Sequence, residues 1–381
     1  MSSDAGDPLE LESILDDARA NAGLDDFGDE RFRDGLSVLL ETYRTNGYSP
    51  GAQRQLRGRI VSLLSERLRI EDAWRQHPEI RDVAIVAPVY LTGLPRTGTS
   101  ALLNLLALDP AMRPMALWEG MHPAPLPGRP AKEDDPRYVE LKGFLDHLYS
   151  QNPDFGAIHH TSADTPEECI HLLNHTFADV QFGVEVLMEP YASWFRAQDH
   201  RGAYRYYADI LRMLQWQRPG GRFLLKSPAH LWALDVIVEL FDDASIVVTH
   251  RDPLECVASY ASMMEAVMVG REFDRRELGP VVMEYLAAKM DHALACRERI
   301  DPTRILDVDY GDFVDDPAAT VASIYDHFGL PAGDELRGAW QAHVAAHPQG
   351  EHGEHDYTLE EFGLSAAAIR DRFAAYLASR G

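Results

Sequence analysis

The sequence predicts an α/β protein, a central parallel sheet flanked by helices, with an extra helical segment at the N-terminus and a helical insertion. Two observations predict it. Four short apolar runs rich in β-branched residues recur along the chain, each followed by a helix-like pattern, as βαβ units require. Between the first and second runs lies a Pro-rich loop and a long, mostly helical stretch, too long for a simple crossover. The 381 residues are 45% hydrophobic and 25% charged, an ordinary globular composition that can bury a sizeable core.

From Pro8 to about Arg81 the apolar residues fall at helical spacing: Leu11, Ile14 and Leu15, then Phe32, Leu36, Leu39 and Leu40, then Ile60, Leu63, Leu64 and Leu68. The breaks NAGLDDFGDE and NGYSPGAQ separate these helices. At Val83 the texture changes to VAIVAPVYLTG, a nearly continuous apolar run that suits a strand buried on both faces. RFLLK (Arg222 to Lys226), ASIVVTH (Ala244 to His250) and RILDVDY (Arg304 to Tyr310) are the other three strands. The loop HPAPLPGRPAKEDDP opens the insertion, in which Tyr207, Ile210, Leu211 and Leu214 form an amphipathic stripe able to cover the sheet edge. The tail starts with the His-rich HPQGEHGEHDY and ends in an alanine-rich helix. The expected organisation is a helical segment over 1–82, an α/β core over 83–335 with its insertion at about 122–217, and a closing loop and helix over 336–381.

A formal charge of −25 repels phosphate backbones and anionic membrane surfaces, so nucleic acid is excluded as a partner class. The N-terminus has neither a basic n-region nor an apolar h-region, and the longest apolar run, ALLNLLAL, is too short to span a bilayer; a cytoplasmic location without membrane insertion is expected. Cys169, Cys256 and Cys296 show no CxxC or CxxH spacing and read as reduced core thiols. An HxxH pair, His352 and His355, is flanked by Gly353 in a loop, and no metal is assigned to it.

The sharpest motif is TGLPRTGTSALLNLLALDP, a strand, a loop bounded by Gly93 and Gly98, and a helix opening at Thr99 and Ser100. Glycines permit the tight turn, and the N–H groups at the helix N-terminus form a cradle for a phosphate. This is a P-loop outline and implies a P-loop NTPase-like three-layer arrangement. Where a nucleoside-triphosphate loop needs lysine, however, Thr99 stands, and the basic residue is Arg96 inside the loop. The second motif, SIVVTHRDPLECVASYASMM, delivers His250 and Arg251 to a strand end, starts a helix at Asp252-Pro253 and places Ser259 two turns on. Arginine and a hydroxyl together suit a second phosphate.

These motifs, with RFLLKSPAHL between them and ILDVDYGDFVDDPAATVASIYDHFGLP after them, resemble the sulfotransferases that use 3′-phosphoadenosine 5′-phosphosulfate (PAPS) and release 3′-phosphoadenosine 5′-phosphate (PAP). The resemblance covers about Val83 to Leu330 and is strongest to the bacterial branch acting on small molecules. It implies that Pro95, Arg96, Thr97, Gly98, Thr99 and Ser100 hold the 5′-phosphosulfate, that Arg251 and Ser259 hold the 3′-phosphate, and that Tyr310 lies near the nucleotide. It also implies that Lys226 is the catalytic lysine, stabilising charge on the leaving phosphate without a metal.

The acceptor must lose a proton, and the residues leave the base open. Glu119, beside Trp118, resembles the glutamate of one branch. His230 resembles the histidine of another, with a spacing of four from the lysine in place of two. Glu167 and Glu168 are a third choice, although Thr165 with Glu168 reads as a capping box starting a helix. Trp118, Trp194, Phe195, Tyr204, Tyr206 and Tyr207 are candidates for an apolar acceptor pocket, although a stripe at helical spacing is more often plain core. The expected function is sulfuryl transfer to a hydroxyl of a lipophilic small molecule; a P-loop kinase, disfavoured by Thr99, and a non-catalytic nucleotide binder are the alternatives.

Overall fold

The computed structural model describes residues 7–151, 162–178, 185–267, 270–347 and 358–380. Five strands form one parallel sheet: β1 (Val89–Gly93), β2 (Met112–Pro114), β3 (Arg222–Lys226), β4 (Ser245–His250) and β5 (Ile305–Asp309), in the order β2-β3-β1-β4-β5. Alternation along the strands divides the core in two. Tyr90, Phe223, Leu225, Ile246 and Val248 face one side, where they join an apolar cluster with the N-terminal helices and helices Arg201–Gln217 and Arg275–Arg297. Val89, Leu91, Leu224 and Val247 face the other, against helices Thr99–Leu106, Pro317–His327 and Asp334–Ala346. Sheet between two helical layers is the three-layer arrangement expected from the sequence. Each such fully buried aliphatic or aromatic side chain contributes about 1.5–3 kcal/mol of burial.

Two features of the sheet differ from the sequence reading. The first strand starts at Val89, not Val83, because Pro88 has no N–H to give a ladder and Ala87 turns the chain at φ +43°. β2, a three-residue edge strand paired with β3 from Met112↔Arg222 to Pro114↔Leu224, was not anticipated; so short a segment carries no periodicity. The tail ends in two short helices, Ala366–Arg372 and Ala374–Arg380, in place of one.

The N-terminal helices are held to the insertion by a buried arginine. Helix Pro50–Gln76 starts at Ser49, whose hydroxyl accepts from Ala52 N at 3.2 Å, with proline in the first turn. On its inner face Arg67 donates to Phe27 O (2.8 Å), His175 O (2.9 Å) and Asp29 O (3.1 Å) and lies between the Phe32 and Tyr206 rings. A guanidinium so placed has its donors satisfied by carbonyls, which offsets the cost of burying it. No helix among the described residues is long and apolar enough to cross a membrane.

β1 is central, with β3 on one side and β4 on the other, so the C-terminal ends of these three strands meet where open parallel sheets bind ligands.

Candidate active site

The loop after β1 is built for close backbone approach. Gly93 has φ +154°, and a Cβ there would lie 2.2 Å from Thr249 Oγ1 and 2.5 Å from Thr249 O. Gly98, at φ +82°, caps helix Thr99–Leu106, and a Cβ there would meet the Tyr310 ring at 3.1 Å. Between them Arg96 has φ +72°, a left-handed conformation that costs a non-glycine residue about 1–3 kcal/mol and clusters at ligand sites. The first-turn N–H groups have no partner within the helix and point out of its N-terminus.

A ladder of hydroxyls fixes this loop from below. Thr92 Oγ1 donates to Ser227 O at 2.9 Å, Thr249 Oγ1 to Thr92 O at 3.2 Å, and Thr97 Oγ1 to Leu94 O at 2.6 Å, while Thr97 and Thr249 share a 2.6 Å hydroxyl contact. The Thr97 side chain is thereby spent on the loop, leaving its backbone N–H as the group available to an anion. Nothing in the sequence marked the Thr92 and Thr249 hydroxyls, since isolated threonines in a strand read as β-formers.

At the end of β4, the Arg251 guanidinium stacks 4.2 Å from the Tyr310 ring centroid, donates to Arg96 O at 3.0 Å and pairs with Glu255. Its Nε is buried without a partner among the described residues. Ser259 Oγ accepts from Arg96 Nε at 3.0 Å. Arg96, Arg251, Ser259 and Tyr310, dispersed in sequence, are thus one constellation. His250 is not part of it: its ring is locked between Tyr376 Oη (3.0 Å) and Asp307 (2.8 Å), which Arg297 also holds.

Lys226 ends β3 and is 4% exposed, so it cannot be a strand-end lysine reaching into water. Its Nζ donates to Ser100 Oγ at 3.2 Å and to Glu168 Oε1 at 2.7 Å. Glu168 arrives there because residues 165–169 run beside the sheet: Leu117 N donates to Thr165 O, Glu167 N to Met115 O and Cys169 N to Lys226 O. The capping box expected at Thr165 and Glu168 is therefore absent. Thr165 Oγ1 accepts from Ser162 N, and the next helix, Ile170–Leu173, starts later. His171 was also overlooked; burial holds its imidazole below the ordinary value, against the pull of the neighbouring Glu167 and Glu168.

Glu119 and His230 are engaged with other partners. Glu119 Oε1 accepts from Arg113 at 2.9 Å and Oε2 from Ala116 N at 3.3 Å, so the carboxylate closes a buried ion pair and caps its own short helix. The Trp118 ring packs against Arg137 and Arg218, both of which bind the buried Asp135. His230 is fully buried, with Nδ1 3.0 Å from Tyr204 Oη, and burial lowers its pKa to about 3. Phe195, Tyr204 and Tyr207 are fully buried core, and Tyr206 packs on Trp74 and Arg67, so the aromatic stripe is core and not pocket wall. Residues 348–357, with His352 and His355, lie outside the described residues.

The site offers a backbone cradle, two arginines, one orphaned guanidinium nitrogen and a buried ammonium beside a carboxylate. These donors suit an anionic, phosphate-bearing ligand.

Comparison with known proteins agrees. The sequence pattern of the family described as Sulfotransferase family matches residues 88–334. The solved structure of the sulfotransferase STF1 from Mycobacterium tuberculosis H37Rv is 33% identical, with a TM-score of 0.84 over 96% of this chain and 98% of that one. The sulfotransferase STF9 from Mycobacterium avium is 25% identical, with a TM-score of 0.87 over 100% of this chain and 98% of that one. A curated relative, the omega-hydroxy-beta-dihydromenaquinone-9 sulfotransferase Stf3 of Mycobacterium bovis, is 25% identical over 267 residues; the match spans 64% of this chain and 63% of the relative's length. A phosphate loop without its lysine, a buried lysine at the neighbouring strand end and this match over the whole sheet have one explanation: the chain belongs to the sulfotransferase family.

Proposed function

We propose that the protein transfers a sulfuryl group from PAPS to a hydroxyl of an apolar small molecule, releasing PAP. The observation that carries this reading is the position of Lys226, between Ser100 at the helix N-terminus and the Glu168 carboxylate. When bound, PAPS supplies the activated sulfuryl group. The backbone N–H groups of Thr97 to Ser100, with Arg96, would hold its 5′ end, and Arg251 with Ser259 its 3′-phosphate, while Pro95 shapes the loop and Tyr310 backs the Arg251 guanidinium. Lys226 Nζ sets a cation where negative charge grows on the leaving phosphate, and such preorganised charge is commonly the largest catalytic contribution.

Glu168 takes the acceptor's proton in this reading. It is a quarter exposed and adjoins Lys226, whereas Glu119 is committed to Arg113 and His230 is sealed in the core. The 2.7 Å contact with Lys226 holds the carboxylate at the site before the acceptor arrives. A hydroxylated apolar acceptor is the class we favour because the chain is similar to a sulfotransferase named for a hydroxylated menaquinone.

The test is turnover of PAPS with a panel of long-chain alcohols and phenols, followed by release of PAP, beside ATP with the same panel. PAPS-dependent product without added magnesium supports the reading. Phosphorylated product from ATP and none from PAPS would favour a kinase.

A further inference from the structure

Away from the anion-binding loops, Asp235, His292 and Cys296 bring a carboxylate oxygen, an imidazole nitrogen and a thiol sulfur within 4.8 Å of one another. His292 and Cys296 are four residues apart on helix Arg275–Arg297 and so share one face, one turn apart. Asp235 comes from the first turn of helix Leu234–Leu240, which packs against it.

The three groups are oriented by their surroundings. Arg299 donates to Asp235 Oδ2 at 2.8 Å, and Arg201 lies 3.6 Å from the same oxygen. Oδ1 is left facing the thiol, which donates to it at 3.4 Å, and also accepts from Val236 N at 3.0 Å. The His292 ring packs 5.4 Å from that of Trp232, which limits its rotation. Hydrogen bonds that fix a carboxylate from outside in this way are the usual company of metal ligands.

We propose that Asp235, His292 and Cys296 bind a zinc ion that ties helix 275–297 to helix 234–240. Sulfur, nitrogen and oxygen donors in one small site suit Zn²⁺ better than the harder Mg²⁺ or Ca²⁺, which take oxygen. The ion replaces the thiol proton between Sγ and Oδ1. Cys296 binds as thiolate, its proton passes to the buffer, and a water completes the tetrahedron at the half-buried side of Asp235 and His292. The site is invisible to cysteine spacing because its ligands pair a one-turn helix step with a residue from another helix.

The test uses the full-length protein, stripped with chelator and titrated with ZnCl₂ by calorimetry and with CoCl₂ by absorbance. We expect one Zn²⁺ per chain and a thiolate-to-cobalt charge-transfer band in the near ultraviolet. Cys296→Ser abolishes the band, and His292→Gln weakens binding by at least about tenfold. A His352→Gln/His355→Gln chain, lacking the histidines of the tail, keeps both signals. Circular dichroism and PAP binding of each variant confirm that it is folded. Absence of the band in the wild type, or zinc binding untouched by Cys296→Ser in a folded chain, overturns the proposal.

Discussion

Lys226 Nζ donates to Glu168 Oε1 at 2.7 Å, although the two residues are 58 positions apart and Glu168 belongs to the insertion. The contact joins the end of β3 to the segment that lies beside it, and of the four candidates for the base, Glu119, His230, Glu167 and Glu168, it sets Glu168 against Lys226.

Glu168→Gln keeps the shape and removes the basicity. It should lower kcat by about 10²- to 10⁴-fold while PAP affinity stays within about threefold, because the base meets the acceptor and not the nucleotide. Glu119→Gln should behave in the opposite way: it leaves the buried Arg113 guanidinium without its counter-charge, so about 3 kcal/mol of stability is lost while kcat per folded molecule changes little. Thermal melts and initial rates of the two variants, side by side, check both. A large kcat loss confined to Glu119→Gln would return the base to that residue.

Gly93→Ala should be the worse of two loop substitutions. Both glycines have positive φ, but a methyl at Gly93 collides with the Thr249 carbonyl and hydroxyl, while one at Gly98 only presses on the edge of the Tyr310 ring. We expect a loss of about 2 kcal/mol or more for Gly93→Ala and about 1 kcal/mol for Gly98→Ala, the cost of the backbone conformation alone. Denaturant midpoints measure the difference.

Acid should destabilise the fold before most carboxylates titrate. Burial lowers His230 to about 3, and His175 and His200 to about 4, from an ordinary 6.5. Between those values the unfolded chain binds more protons than the folded one, so the stability these residues confer is full above pH 6.5 and declines as the pH falls toward 4. Each adds a slope of up to about 1.4 kcal/mol per pH unit in that window. Urea unfolding at pH 7, 6 and 5 reads the slope, and His230→Gln should reduce it; a stability flat from pH 7 to 5 contradicts the assignment.

The loop and the arginine element proposed to hold the donor were legible in the sequence because each is local. Gly93 to Ser100 is one contiguous loop after one strand, and Arg251 with Ser259 is a strand end and the helix that follows. The contact of Glu168 with Lys226 was not, for a physical reason. Glu168 reaches Lys226 by running beside β3 as an extended segment, a tertiary placement that overrides the local capping pattern of Thr165 and Glu168. Glu119 looked free because its partner, Arg113, lies on the three-residue strand that no periodicity reveals. The aromatic stripe from Tyr204 to Tyr207 is core, the commoner reading of such a pattern: Tyr206 packs on Trp74 and Arg67 of an N-terminal helix, and Tyr204 and Tyr207 on each other and on His230.

In the proposed function, recognition of two phosphates on one nucleotide separates this site from an ordinary phosphate loop, and calorimetric titration with PAP beside adenosine 5′-monophosphate, in magnesium-free buffer, reads it directly. PAP should bind more tightly by about 2 to 5 kcal/mol, and Arg251→Ala should remove most of that preference while costing the monophosphate less than it costs PAP, because the 3′-phosphate loses its cation and the 5′ loop only the bond to Arg96 O. Equal affinity for the two nucleotides, or a preference for PAP that survives Arg251→Ala, would contradict the assignment of Arg251 and Ser259 to the 3′-phosphate and with it the choice of PAPS as donor.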